Sequence, residues 1–66
     1  MIEIALNGTW VRSTAHNVAE FVRERELPVT GVAVALNGSV VPRSEWPSTF
    51  LRTSDRVEIV TAAAGG

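Results

Sequence analysis

Apolar and polar residues alternate over positions 2–6, and this period of two predicts a half-buried strand. Ile2, Ile4 and Leu6 fall on one face, while Ala5 falls on the other. The apolar face is expected to lie in the core. Positions 56–60 alternate in the same way and predict the last strand of the chain.

Two Asn-Gly dipeptides, at 7–8 and 37–38, each follow a predicted strand. A type I′ turn needs positive φ at both central residues, and Asn and Gly tolerate it best, so each dipeptide predicts a tight hairpin. The returning strands are expected over 9–12 and 39–41. Pro42 ends the second of them, because proline donates no hydrogen bond to a strand ladder.

A helix is predicted to begin near Val18 and to run for about ten residues, as far as the Leu27-Pro28 step. Asn17 stands three residues before Glu20, an arrangement like a capping box. The apolar stripe of this helix consists of Val18, Phe21 and Val22.

The run at 32–36 is almost continuously apolar, which indicates a central strand. Val34 and Leu36 are expected to point into the core, with Ala33 and Ala35 on the opposite face. Further along, Ser44 is predicted to cap a single tight turn before Trp46. Phe50 and Leu51 add apolar mass.

These elements predict an α+β fold in which about five strands form one mixed sheet and a single helix covers one of its faces. The 66 residues make one domain, 1–66, and positions 61–66 form an extended C-terminal tail. The tail has small, uncharged side chains only and ends at Ala64-Gly65-Gly66.

Composition narrows the classes of function. The chain has no cysteine and a formal charge of −1, which excludes thiol chemistry and gives no basic patch for nucleic acid. The N-terminus has neither a basic leader nor a long apolar run, so a cytoplasmic protein is expected. A catalytic role or a metal site is not expected either, because His16 is the only histidine and is predicted to be a polar loop residue.

The C-terminal Gly65-Gly66 is the strongest candidate for a working site. Neither residue has a Cβ, so the backbone, with Ala64 before it, fits an active-site channel too narrow for side chains. The alternative is an ordinary frayed terminus. Glu20, Glu24 and Glu26 have the spacing of a solvated helical face and are not interpreted as catalytic acids.

The outward face of the predicted sheet is a candidate docking surface. Trp46 is interpreted as a core residue. For Trp10 two interpretations stay open, which are packing within the domain and binding to a partner. A contiguous apolar face on a small domain is typical of docking. The residues assigned to this surface are Ala5, Trp10, Ala33, Ala35 and Val60.

The order of elements and the terminal Gly-Gly resemble the ubiquitin-like β-grasp fold, and specifically the ThiS family of sulfur carriers in thiamine biosynthesis. The specific matches are the stretch from Leu36 to Trp46, which contains Asn-Gly, Pro-Arg and Trp, the stretch 55–60, and the Gly-Gly end. The chain departs from the family pattern at Ser54, where glycine is common, and in the plain alanines of its tail.

The resemblance implies a carrier that is not itself an enzyme and binds no cofactor. A ubiquitin-activating-type adenylyltransferase (ThiF-like) would use ATP and magnesium to adenylate Gly66. Sulfur from a persulfide enzyme would then make a thiocarboxylate, which donates its sulfur to a thiazole synthase (ThiG-like). The alternatives are a carrier like the small subunit of molybdopterin synthase, a ubiquitin-like protein modifier, and an interaction domain whose tail is incidental.

Overall fold

The computed structural model describes residues 1–28 and 30–61. Within them, five strands, one α-helix and one 3-10 helix follow one another. They are β1 (Ile2–Leu6), β2 (Thr9–Ser13), α1 (Val18–Glu24), β3 (Val32–Leu36), β4 (Ser39–Val41), the 3-10 helix (Arg43–Ser48) and β5 (Arg56–Thr61). The predicted α+β plan is confirmed, and β5 includes Thr61, which the sequence placed at the start of the tail.

The five strands form one mixed sheet in the order β2-β1-β5-β3-β4. β1 and β5 are parallel, and the other neighbouring pairs are antiparallel. The apolar run at 32–36 is an internal strand, but β5 occupies the centre of the sheet. An apolar run is typical of an internal strand but does not specify the place of that strand in the strand order.

Both hairpins have the predicted turn geometry. Asn7 and Asn37 have φ of 50°, and the glycines that follow them, Gly8 and Gly38, have φ of 85° and 89°. Positive φ at both central positions is what a type I′ turn requires. β4 ends at Val41, immediately before the proline, as expected.

The core lies between one face of the sheet and the two helices. The most deeply buried large side chains come from β1, α1, β3 and β5, and each contributes about 1.5–3 kcal/mol through loss of apolar surface to water. These side chains are Ile4, Val18, Phe21, Val34 and Val57. The apolar stripe predicted for the helix is therefore confirmed.

Helix α1 has seven residues, so the predicted length of about ten was too long. The chain leaves the helix because Glu26 adopts a left-handed conformation with φ of 56°, and its N–H bonds to the carbonyl oxygen of Arg23. At the other end, Asn17 caps the helix by accepting a 2.8 Å hydrogen bond from the backbone N–H of Glu20. The Glu20 carboxylate bonds to the N–H of His16 and not to that of Asn17, so only half of the capping box is formed.

The segment after β4 forms a 3-10 helix of six residues in which Trp46 is buried, so the interpretation of Trp46 as a core residue is confirmed. The prediction that Ser44 caps this segment was wrong. Pro42 holds the N-cap position and no side chain supplies a capping hydrogen bond. Leu51 joins the core, whereas Phe50 is 69% exposed. In the described part of the chain, no helix is long and apolar enough to cross a membrane.

Candidate functional site

The three tail residues that the sequence singled out, Ala64, Gly65 and Gly66, lie outside the described residues. What the structure describes is the platform that precedes them. β5 is the last strand and the centre of the sheet, so the tail follows directly from the strand with neighbours on both sides. Both neighbours hold the start of β5, and β3 stays paired with it as far as Thr61.

Both turn asparagines bond to β5 through their side chains. The Oδ1 of Asn7 accepts a 2.9 Å hydrogen bond from the N–H of Ile59, and its Nδ2 donates a 3.2 Å bond to the carbonyl oxygen of Ile59. The Oδ1 of Asn37 accepts a 2.8 Å bond from the N–H of Arg56, and its Nδ2 donates to Asp55 at 3.1 Å. The two turns therefore hold the last strand from opposite sides.

The sequence analysis assigned these asparagines to turns and missed their contacts with β5. The one signal for these contacts in the sequence is that both turns have asparagine and not aspartate. Aspartate also suits the first position of a type I′ turn, but only an amide side chain offers both a donor and an acceptor. Asparagine at both turns is thus consistent with a second role for the side chain.

The residues predicted for docking lie on one face of the sheet. The strand registers pair Ala5 with Trp10 across β1 and β2, and Ala33 with Val60 across β3 and β5. Paired residues point to the same side of a sheet, and alternate residues of one strand share a face. We call this side, opposite α1, the outer face. Its members are Glu3, Ala5, Trp10, Arg12, Ala33, Ala35, Val40, Arg56, Glu58 and Val60.

Exposure varies among these residues. Trp10 and Val60 are 61% and 66% exposed, and Ala33 is also exposed, whereas Ala35 is half-buried. Ala5 is only 8% exposed although it points outward. Its register partners on the two sides are Trp10 and Arg56, whose long side chains flank a methyl group. Ala5 therefore lies in a depression of the surface and offers little area for contact with a partner.

The outer face also carries two pairs of opposite charges, Glu3 with Arg12 across β1 and β2, and Arg56 with Glu58 near its centre. Arg56 and Glu58 are exposed on β5 between the alanines of β1 and β3. They line a hollow of about 340 Å³ together with the two turn glycines, Gly8 and Gly38. A second hollow, of about 260 Å³, lies beside it and is lined by Ala33, Ala35, Val40, Glu58 and Val60 among others. The outer face thus has two hollows as well as exposed apolar side chains.

Val40 belongs to the outer face but was missed by the sequence analysis. It is 75% exposed and pairs with Ala35 across β3 and β4. The pair Val40-Val41 was the signal for an exposed valine. Adjacent residues of a strand point to opposite faces, so only one of the two valines enters the core. Val41 is the buried one.

The polar groups of the helix side form local contacts. His16 is exposed, and its backbone N–H and ring Nδ1 lie 2.8 Å and 3.1 Å from Oε1 of Glu20. The hydrogen bond from this N–H, with help from the ring, lowers the pKa of Glu20 below its ordinary value. Glu24 and Glu26 are exposed, which agrees with the predicted solvated face.

Burial raises the pKa of Glu24, but hydrogen bonds from the Ser13 side chain and from Thr14 outweigh it, so the pKa is lowered overall. Oε1 of Glu24 accepts bonds from the backbone N–H and the hydroxyl of Thr14, at 3.0 Å and 3.1 Å. These contacts join α1 to the segment that precedes it. Among residues 1–28 and 30–61, no three His, Asp or Glu side chains come together as a set that could hold a metal ion.

Known proteins resemble this chain in both sequence and fold. The model of the ThiS family matches residues 1–66. The sulfur carrier protein ThiS of Escherichia coli (strain K12) is 30% identical over 53 residues, which are 80% of this chain and 76% of that protein. The crystal structure of the thiamine biosynthesis protein (ThiS) from Geobacter metallireducens superposes with a TM-score of 0.83 at 26% identity, covering 98% of this chain and all of that one.

The solution structure of the Geobacter protein gives a TM-score of 0.82, again at 26% identity, and covers 98% of this chain and 88% of that one. The mixed five-stranded sheet with one α-helix is thus that of a β-grasp, ubiquitin-like domain, as the sequence predicted. This chain belongs to the ThiS family, the family of the sulfur carrier protein from Escherichia coli.

Proposed function

We propose that this chain carries sulfur for the thiazole ring of thiamine, as a thiocarboxylate on the C-terminal residue Gly66. The observation that carries the proposal is the family match, because it spans residues 1–66 and so includes the Gly-Gly end. The central position of β5 supports it, since this strand leads directly into the tail.

A free carboxylate resists nucleophilic attack, so the proposed route begins with its activation. In the first step a carboxylate oxygen of Gly66 attacks the α-phosphate of ATP, and pyrophosphate leaves. The product is an acyl adenylate, a mixed anhydride in which AMP is a good leaving group. ATP and magnesium are bound by a ubiquitin-activating-type adenylyltransferase, and this chain contributes the acyl group.

Sulfur enters in the second step. The terminal sulfur of a persulfide on a donor enzyme attacks the acyl carbon of Gly66, and AMP leaves. The product is an acyl disulfide between Gly66 and the donor enzyme. A thiol then attacks the enzyme's cysteine sulfur, so the thiocarboxylate leaves and the cysteine ends in a disulfide with that thiol. A thiocarboxylate, like other sulfur anions, is a polarisable nucleophile, and a thiazole synthase takes this sulfur for ring formation. The route needs ATP and reduced thiols, which favours the cytoplasm.

The absence of side-chain bulk in the tail suits this route. Ala64, Gly65 and Gly66 present no side chain larger than a methyl group, so an extended backbone fits a narrow channel that brings the carboxylate to ATP. The chain is then a co-substrate of its partners, and the groups that do chemistry on the tail belong to them.

We further propose that the outer face docks on the adenylyltransferase. Its apolar members include three residues more than 60% exposed, which are Trp10, Val40 and Val60. Exposed apolar patches of this kind mark interaction sites on small domains. The face also contains the side chain of Val60, one residue before the end of β5, so a partner that covers it lies beside the start of the tail.

The proposal is tested by ATP–pyrophosphate exchange with the adenylyltransferase. The full chain is compared with a chain that lacks Gly66 and with one that carries an added residue after Gly66. Of the three chains, only the full chain is expected to support exchange, because only its terminal carboxylate lies at the correct distance from the folded domain. Equal exchange with the shortened chain would overturn the assignment of Gly66.

A further inference from the structure

β5 extends beyond the end of its partner β1. The register between the two parallel strands runs from Ala5↔Arg56 to Leu6↔Val57. The N–H of Asn7 then donates a 2.9 Å hydrogen bond to the carbonyl oxygen of Val57, and the chain turns away at Asn7-Gly8. On its other side, β5 stays paired with β3 as far as Val32↔Thr61. The last residues of β5 therefore have a strand beside them on one side only.

The side chain of Asn7 takes the place of the next residue of β1. In a parallel pair, Ile59 would give its N–H and its carbonyl oxygen to the backbone of the neighbouring strand. Here the N–H of Ile59 donates to Oδ1 of Asn7 at 2.9 Å, and its carbonyl oxygen accepts from Nδ2 at 3.2 Å. The amide of Asn7 thus acts as a substitute for a peptide group, at a partly buried site where water competes less.

We propose that Asn7 is a positioning residue for the tail. By holding Ile59 on the β1 side, its amide fixes the direction in which β5 leaves the sheet and so the path of residues 62–66 toward the activating enzyme. Without it, the end of β5 is held by β3 and is able to swing about that pairing. The inference rests on the proposed function of Gly66. A misplacement of about 1 Å at a reacting group costs roughly a hundredfold in rate, so direction at the base of the tail matters.

Asn37 provides a matched control. It also begins an Asn-Gly turn, has the same φ of 50°, and makes two side-chain hydrogen bonds at the start of β5. Its partners are the N–H of Arg56 and the carboxylate of Asp55. These lie where β5 begins, so loss of the Asn37 amide loosens the start of the strand and leaves its exit in place.

The test compares Asn7→Gly with Asn37→Gly. Glycine accepts the positive φ of both positions, so each substitution removes an amide side chain while the turn is retained. Two measurements are made on each variant, after circular dichroism shows that it is folded. The first is amide hydrogen exchange at Ile59 in the free protein. The second is kcat and KM for ATP–pyrophosphate exchange with the adenylyltransferase.

For Asn7→Gly we expect exchange at Ile59 to be about tenfold faster, and kcat to fall about tenfold with KM within about twofold. KM is retained because the outer face still docks. For Asn37→Gly we expect both the exchange at Ile59 and kcat to stay within about twofold of the wild type. Should Asn7→Gly not fold, Asn7→Asp takes its place and is judged by kcat and KM, because it loses the donor to the Ile59 carbonyl oxygen but keeps the acceptor for the Ile59 N–H.

Two results would overturn the inference, and both differ from failure of the proposed function. One is an unchanged kcat in the Asn7 variant while the wild type is activated. The other is an equal loss of kcat in both variants, which is what a general loss of stability produces. If the wild type itself is not activated, the proposed function fails, and hydrogen exchange at Ile59 still decides whether Asn7 holds the end of β5.

Discussion

The indole Nε1 of Trp46 donates a 3.0 Å hydrogen bond to the backbone carbonyl oxygen of Val41, the last residue of β4. Both residues are buried. The bond joins the 3-10 helix to the edge of the sheet, where the ladder of β4 ends before a proline. Trp46 therefore closes one end of the core and satisfies a buried backbone acceptor at the same time.

Replacing Trp46 with phenylalanine is expected to lower the free energy of unfolding by about 1–3 kcal/mol, because the smaller ring leaves a gap in the core and the hydrogen bond to the Val41 carbonyl oxygen is lost. The same change at Trp10, which is 61% exposed, is expected to stay within about 0.5 kcal/mol of the wild type. Urea denaturation followed by circular dichroism measures both variants. Equal losses at the two tryptophans would contradict this account.

Ser54 adopts a left-handed conformation, with φ of 75°, in the turn before β5. The conformation strains any residue with a Cβ, and glycine is free of that strain. We expect Ser54→Gly to raise the free energy of unfolding by about 0.5–1 kcal/mol, after allowance for the greater freedom of glycine in the unfolded chain. Ser54→Ala keeps the strain and is the control. A gain in thermal stability with alanine as large as that with glycine would show that φ is not the cause.

The lowered pKa of Glu20 predicts how stability depends on pH. A carboxyl group whose pKa is lower in the folded state stabilises the fold above its unfolded-state pKa, and this stabilisation is lost as pH falls through the folded-state pKa. The hydrogen bond from the His16 N–H is its main cause. Below pH 4.5, the ordinary value for this group, the free energy of unfolding is therefore expected to fall.

The measurement is urea denaturation of the wild type and Glu20→Gln between about pH 6 and pH 3, a range that spans the ordinary carboxyl pKa. The two stabilities are expected to converge as pH falls, since Gln has no proton to gain. Glu26→Gln controls for the loss of one negative charge at an exposed residue. A constant difference between the wild type and Glu20→Gln over the whole range would be evidence against a role for this carboxylate.

The proposed docking surface predicts that an arginine at Ala33 weakens binding to the adenylyltransferase by about tenfold or more, because a charged side chain would be buried in the interface. Ala33 is exposed, so the domain is expected to keep its fold. Ser44→Arg adds the same charge on the 3-10 helix, which packs with α1 away from the outer face. Calorimetric titration should show weaker binding for the first variant alone. Unchanged affinity of Ala33→Arg would rule out this part of the sheet as the docking site.

Alternation and turn residues were sufficient to predict the strands and their two faces. Val57 and Ile59 are buried, and Ala33 shares the outer face with Val60, as a period of two requires. The strand order was beyond prediction from local pattern. β1 and β5 are parallel neighbours although about fifty positions separate them, and neither segment contains a signal for its partner.

Two further features were not predicted from the sequence, each for a physical reason. The helix ended early because Glu26 takes positive φ, a conformation that sequence reading expects of glycine or asparagine. The amide contacts of Asn7 and Asn37 with β5 were hidden because the turn alone already accounts for asparagine at both positions. Tertiary contacts of this kind become visible only when the strand order is known.

Intact-mass spectrometry of the chain tests the central claim most directly. The protein is incubated with the adenylyltransferase, ATP, magnesium and a persulfide donor, and then analysed beside a sample without ATP. Replacement of one terminal oxygen of Gly66 by sulfur adds about 16 Da, and fragmentation should place this mass on the last residue. A chain of unchanged mass, in a reaction where the same enzymes load an established ThiS protein, would contradict the account.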